Sequence, residues 1–159
     1  MKLSFGLVSL QDQEHCSSAF NLLKQLRPLL TESQFQFLIV EASQSQGHYR
    51  LMGAWNESHQ LVSVVGIRTW IDFLHGKHWY IDDLVTDHGV RSQGIGAEFL
   101  GWIEDAATRE GITCIRLSTG AQHEAGKRFY EKNHWSLMAV TYKKFRTPNS
   151  KEWSGEASF

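Results

Sequence analysis

Cysteine is nearly absent from this chain: Cys16 and Cys114 are the two present among 159 residues. Two thiols cannot build a framework of disulfides, which points to a reducing cytoplasm. Long hydrophobic runs are missing as well, and none approaches the ~20 apolar residues that cross a bilayer. The apolar opening, residues 3–10, stops at Gln11-Asp12-Gln13-Glu14 with no small-x-small cleavage pattern behind it, so it is expected to be a first strand and not a leader. Neither sign of charge is in excess. Lys plus Arg total 16 against 17 Asp plus Glu, a formal net charge of −1, which leaves no basic stripe for a phosphate backbone and excludes nucleic acid as the expected partner.

Organised metal ligands are also lacking. The 8 histidines show no His-x-x-x-His spacing and no cysteine-rich partner, so no metal is expected. His75 and His78 are assigned to the flanks of a hairpin turn and His88 to a loop. What the chain does have is 42% hydrophobic residues and 6 tryptophans, the composition of a folded chain. The length suits one domain, expected over residues 1–146, with a flexible tail at 147–159.

Apolar residues at Ala19, Phe20, Leu22, Leu23 and Leu26 have the spacing of an amphipathic helix over Gln13 to Leu26, which Pro28 ends. Thr31 and Gln34 form a capping-box start for a second helix through Ser43, and Gly47 closes that region. From Tyr49 to Trp55, Leu61 to Phe73 and His78 to Thr86, β-branched and aromatic residues predict three antiparallel strands. Trp55, Trp70, Phe73, Trp79 and Trp135 are candidates for an aromatic acceptor site, with sheet packing as the default. Ile95, Phe99, Ile103 and Ala106 predict a long helix stopped at Gly111. A strand at Cys114–Ser118 then returns parallel to the earlier one, because strand-helix-strand connections of this length do so. A short helix over Glu124 to Lys132 and a last strand over Leu137 to Phe145 complete the reading.

Leu84, Val85 and Thr86 run into the turn Asp87-His88-Gly89-Val90-Arg91-Ser92-Gln93-Gly94 and a helix starting Ile95-Gly96-Ala97. The first N–H groups of a helix have no intrahelical acceptor and carry roughly half a positive charge together, so such a junction binds anions. A dinucleotide fingerprint needs a third small residue where Phe99 stands, and a P-loop needs a Gly-Lys-Ser/Thr ending that the chain does not contain. The remaining pattern, Leu-x-Val-x-x-x-x-Arg followed by x-x-Gly-x-Gly/Ala, fits with Thr86 in place of Val. Here the chain resembles the GNAT superfamily of N-acetyltransferases, which bind acetyl-CoA. A second segment supports the resemblance: Phe129-Tyr130-Glu131-Lys132 matches the family's Asn-x-x-Ala-x-x-Phe-Tyr-Glu-Lys-x-Gly-Phe, while His123, Gly126, His134 and Trp135 depart from it.

The resemblance implies an α/β (α+β) fold: a mixed, mostly antiparallel sheet with a central parallel pair of strands, flanked by helices. It also implies acetyl transfer to a primary amine of a small molecule or peptide by direct attack in a ternary complex. Backbone N–H groups from Arg91, Ser92, Gln93, Gly94, Ile95, Gly96 and Ala97 would take the pyrophosphate of acetyl-CoA. The edge at Leu84, Val85 and Thr86 would pair with the pantetheine arm. His123 stands where the family often bonds that arm through Asn. Asp82 or Asp83 would act as base, Asp82 being favoured, and only one of the two can point to a given face unless a bulge intervenes. Tyr130 would protonate the departing thiolate, a phenol being protonated at neutral pH. A homodimer is allowed, and a non-catalytic acyl-CoA sensor is the alternative that His123 and Gly126 leave open.

Overall fold

Alternating and continuous apolar runs build the sheet, and helical apolar stripes cover both of its faces. The computed structural model describes residues 2–44, 48–144 and 146. The expected break at Gly47 and the tail at 147–159 lie outside the described residues. Five strands, β1 Ser4–Leu7, β2 Arg50–Trp55, β3 Leu61–Asp72, β4 Gly76–Thr86 and β5 Ile115–Leu117, lie in the order β1-β2-β3-β4-β5. The first three pairings are antiparallel and β4–β5 is parallel. This is the mixed, mostly antiparallel sheet that the sequence pattern implies.

Helix α1 (Gln13–Leu26) starts on Asp12, whose carboxylate accepts the N–H groups of Glu14 and His15. Helix α2 (Glu32–Gln44) starts on the expected capping box: Thr31 N–H donates to Gln34 Oε1 at 2.9 Å and Gln34 N–H to Thr31 Oγ1 at 3.2 Å. Both helices lie on one face of the sheet, where Leu22, Leu23 and Phe35 pack with Leu51, Val64 and Val85. Helix α3 (Ile95–Arg109) covers the opposite face with Phe99, Leu100 and Ile103 against Ile67, Trp79 and Ile81. Each of these buried side chains stabilises the fold by about 1.5–3 kcal/mol relative to exposure. With both faces covered, β2 buries residues 51–54 and β3 residues 62–67, which is why these stretches read as continuous runs of apolar and small residues. A short helix, α4 (Glu124–Lys132), packs Phe129 and Tyr130 beside α3's core.

The strand expected over Leu137 to Phe145 does not form within the described residues. Residues 136–144 carry no strand pairing, and Leu137, Met138, Val140 and Tyr142 are exposed. Strand patterning needs a ladder partner. Here β5 is three residues long, and beyond it a contact of 3.2 Å between the Ser118 and Thr141 hydroxyls ties the segment to the sheet. Among the described residues, no helix is long and apolar enough to cross a membrane.

Candidate functional site

Strand β4 breaks its pairing on both sides at the same place. Against β5 the register runs Trp79↔Ile115, Tyr80↔Arg116, Ile81↔Leu117 and stops there, so the edge of residues 82–86 is open on that side. Against β3 the register passes from Gly66↔Asp83 to Ile67↔Ile81, which leaves Asp82 as an extra, bulged residue. A bulge cancels the alternation of side chains. Asp82 and Asp83 therefore both line one cavity, the exception under which the two adjacent carboxylates could share a face.

That cavity, of about 390 Å³, lies between α1, α2 and the sheet. Its floor holds two ion pairs. Arg68 grips Asp82 through two bonds, Nε to Oδ2 at 2.6 Å and Nη2 to Oδ1. Arg27 reaches Asp83 from the end of α1, Nε and Nη2 both meeting Oδ1, at 3.0 and 2.8 Å. Burial pushes the Asp82 carboxyl above its ordinary value, and the bond from Arg68 only partly offsets this. Tyr49 closes the floor. Its hydroxyl lies so close over Gly66 that a Cβ there would come within 2.3 Å, and burial together with the Asp83 and Asp82 charges raises its pKa. Sequence reasoning misses Arg27, Tyr49 and Arg68, because each meets the carboxylates through long-range packing that no local spacing encodes.

The turn after β4 has the backbone that its glycines require. Asp87 accepts the Gly89 N–H at 2.7 Å, a single 3₁₀ turn spans His88–Val90, and Arg91 folds back so that its Nε donates to Thr86 O at 2.9 Å. Thr86, in the place of Val, spends its hydroxyl on Ser63 at 3.1 Å. Ser92 and Gly94 both have left-handed backbone, φ 63° and 83°. Gly94 is the N-cap of α3 and provides no side-chain acceptor, so the N–H groups of Ile95, Gly96 and Ala97 open the helix uncapped. Gly96 serves a further purpose: a Cβ there would lie 3.2 Å from Phe129 Cζ, so its missing side chain lets α4 approach α3.

Tyr130 stands on α4, its ring 5.2 Å from that of Phe129 and 5.9 Å from that of Trp135. Burial pushes its pKa up to about 12. Helix α4 ends in a Schellman motif, with Trp135 N–H on Tyr130 O and His134 N–H on Glu131 O, both at 3.0 Å. His134 adopts φ 66° where the family pattern has Gly. His123 and Gly126 depart from that pattern together for a steric reason, since a Cβ on Gly126 would meet His123 Nδ1 at 2.6 Å.

The aromatic candidates separate. Trp79 is fully buried, Phe73 is exposed at the β3–β4 turn, and Trp70 stacks on Arg68 at 4.7 Å. Ligand atoms of Asp72, His75 and His78 lie within 4.8 Å of one another. Arg116 Nη1 sits among them, 3.1 Å from Asp72 Oδ2, 3.5 Å from His75 Nδ1 and 3.4 Å from His78 Nε2, so a guanidinium occupies their focus.

Comparison with known proteins gives one family. The sequence model of the Acetyltransferase (GNAT) family matches residues 16–135. The "Uncharacterized N-acetyltransferase YhdJ" of Bacillus subtilis (strain 168) is 28% identical over 137 residues, covering 85% of this chain and 94% of that protein. A GNAT family acetyltransferase of Staphylococcus aureus subsp. aureus USA300_TCH1516 shares the fold with TM-score 0.74 at 16% identity, over 91% of this chain and 99% of that one. Aminoglycoside N-acetyltransferase AAC(6')-Iy, solved in complex with CoA, superposes with TM-score 0.75 at 12% identity, over 92% and 96% of the two chains.

Proposed function

The chain belongs to the Acetyltransferase (GNAT) family and is an acyltransferase, and from that premise we propose that it moves an acetyl group from acetyl-CoA to a primary amine in a ternary complex. The observation that carries this reading is the splayed β4. Its unpaired edge at residues 82–86 leads straight into the uncapped N-terminus of α3. The open edge offers main-chain groups to the amides of a pantetheine arm, and the N–H groups around Gly94 and Gly96 offer donors to a diphosphate.

On this reading the amine nitrogen forms a bond to the thioester carbonyl carbon, the carbon–sulfur bond breaks, and the leaving group departs as CoA. Asp82 and Asp83 hold the incoming ammonium, and Asp82 takes its proton directly or through water. Burial suits Asp82 to this, because a raised pKa makes a carboxylate a stronger base. Tyr130 supplies the proton for the thiolate. A phenol raised to about 12 by burial stays protonated at neutral pH, and so is a donor when the thiolate forms. A non-catalytic sensor is the alternative that His123 and Gly126 leave open, and the fit of the His123 ring over Gly126 supplies a packing reason for both departures.

The test is amine-dependent release of free CoA thiol, with the acetylated product identified by mass. Tyr130→Phe should keep its acetyl-CoA affinity while kcat falls about 10²-fold, the range of a lost general acid. An unchanged kcat would leave Tyr130 as a packing residue.

A further inference from the structure

The acceptor cavity has a chemical signature that family membership does not supply. Its walls are mostly apolar: Leu23, Leu29, Leu30, Phe35, Leu38 and Ile39 come from α1, α2 and the segment between them, and the polar Gln34 is bonded to Thr31. Its floor is charge-balanced, two guanidiniums against two carboxylates. Three of the four carboxylate oxygens already accept from a guanidinium, since Arg68 bonds both of Asp82 and Arg27 directs both of its contacts to Asp83 Oδ1. Asp83 Oδ2 has no hydrogen bond to any described residue.

We propose, on the acetyltransferase reading above, that the acceptor is a small primary monoamine on an apolar body, its ammonium taken by Asp83 Oδ2 and its alkyl or aryl group laid against the α2 wall. A polycation fits badly. A further ammonium would find the second carboxylate, Asp82, already paired with Arg68 and mostly apolar side chains elsewhere, and an unpaired charge against an apolar wall costs more than it gains. The volume agrees, since about 390 Å³ lies at the small end of ligand pockets. An apolar body of that size would also displace water from the floor, strengthening the bond to Asp83.

The experiment compares kcat/KM for 2-phenylethylamine, kanamycin A and an alanine-initiated hexapeptide, with acetyl-CoA affinity measured separately by calorimetry. 2-Phenylethylamine is expected to lead the panel. Asp83→Asn should raise its KM by about tenfold or more, as loss of a charge-assisted bond does. Leu38→Glu, at a partly exposed wall position, should turn the ratio of 2-phenylethylamine to kanamycin A towards the polycation with acetyl-CoA affinity unchanged. Acetyl-CoA binding with kanamycin A or the peptide preferred, or with no turnover of 2-phenylethylamine, overturns the apolar-monoamine assignment and leaves the acetyltransferase reading standing. Failure to bind acetyl-CoA overturns that reading itself.

Discussion

At the residue scale the bulged Asp82 holds two opposed tendencies. Burial raises its pKa, the bidentate contact with Arg68 lowers it, and the balance lies above the ordinary carboxylate value. If Asp82 must be ionised to accept a proton, the rate falls as pH drops through that raised pKa. The acid limb of kcat/KM should then sit above about pH 4, the ordinary value for Asp. Asp82→Asn should remove this limb and lower kcat/KM by about 10²-fold or more, the scale of general-base catalysis. A limb that persists in the variant would assign it to another group. Neither Arg68 nor Arg27 is legible as a site residue in the sequence. Their partners lie 14 and 56 positions away, and only the β3–β4 pairing and the docking of α1 bring them in.

At the scale of elements, α4 is held in place by two contrasting positions. Gly96 has Phe129 at 3.2 Å from where its Cβ would stand. Gly96→Val should therefore lower stability by about 1–3 kcal/mol through overpacking, with acetyl-CoA affinity lost as α4 shifts. Denaturant unfolding reads the first effect and calorimetry the second, and an unperturbed variant would show that the α3–α4 contact is slack. His134 is the opposite case, a side chain at φ 66° in the glycine position of a Schellman motif. Relieving left-handed strain is worth about 1–2 kcal/mol, partly offset by glycine's greater freedom when unfolded. His134→Gly should accordingly raise the unfolding midpoint with transfer unchanged. Helix ends of this kind are legible because caps are local: Thr31 with Gln34, and Gly111, each announce a boundary. The segment 137–144 is not, since its alternation fits a strand and only a missing ladder partner decides otherwise.

At the scale of the whole molecule, the sheet separates the two halves of the proposed chemistry. Helices α1 and α2 shape the proposed acceptor cavity on one face, α3 and α4 lie on the other, and β4 passes between them with its edge open from Asp82 to Thr86. The order of strand, glycine turn and helix makes the proposed cofactor half legible in sequence, because main-chain N–H groups at a helix start need only a turn of the right shape. The proposed acceptor half is opaque, because its walls are mostly apolar side chains that read as ordinary core. The most direct measurement is an amide NMR titration with acetyl-CoA, using NAD as the comparison ligand. Acetyl-CoA should shift the resonances of Ile95, Gly96 and Ala97 together with those of Asp82 to Thr86, saturating at one equivalent. Silence at those amides, or the same shifts from NAD and none from acetyl-CoA, would contradict the cofactor site.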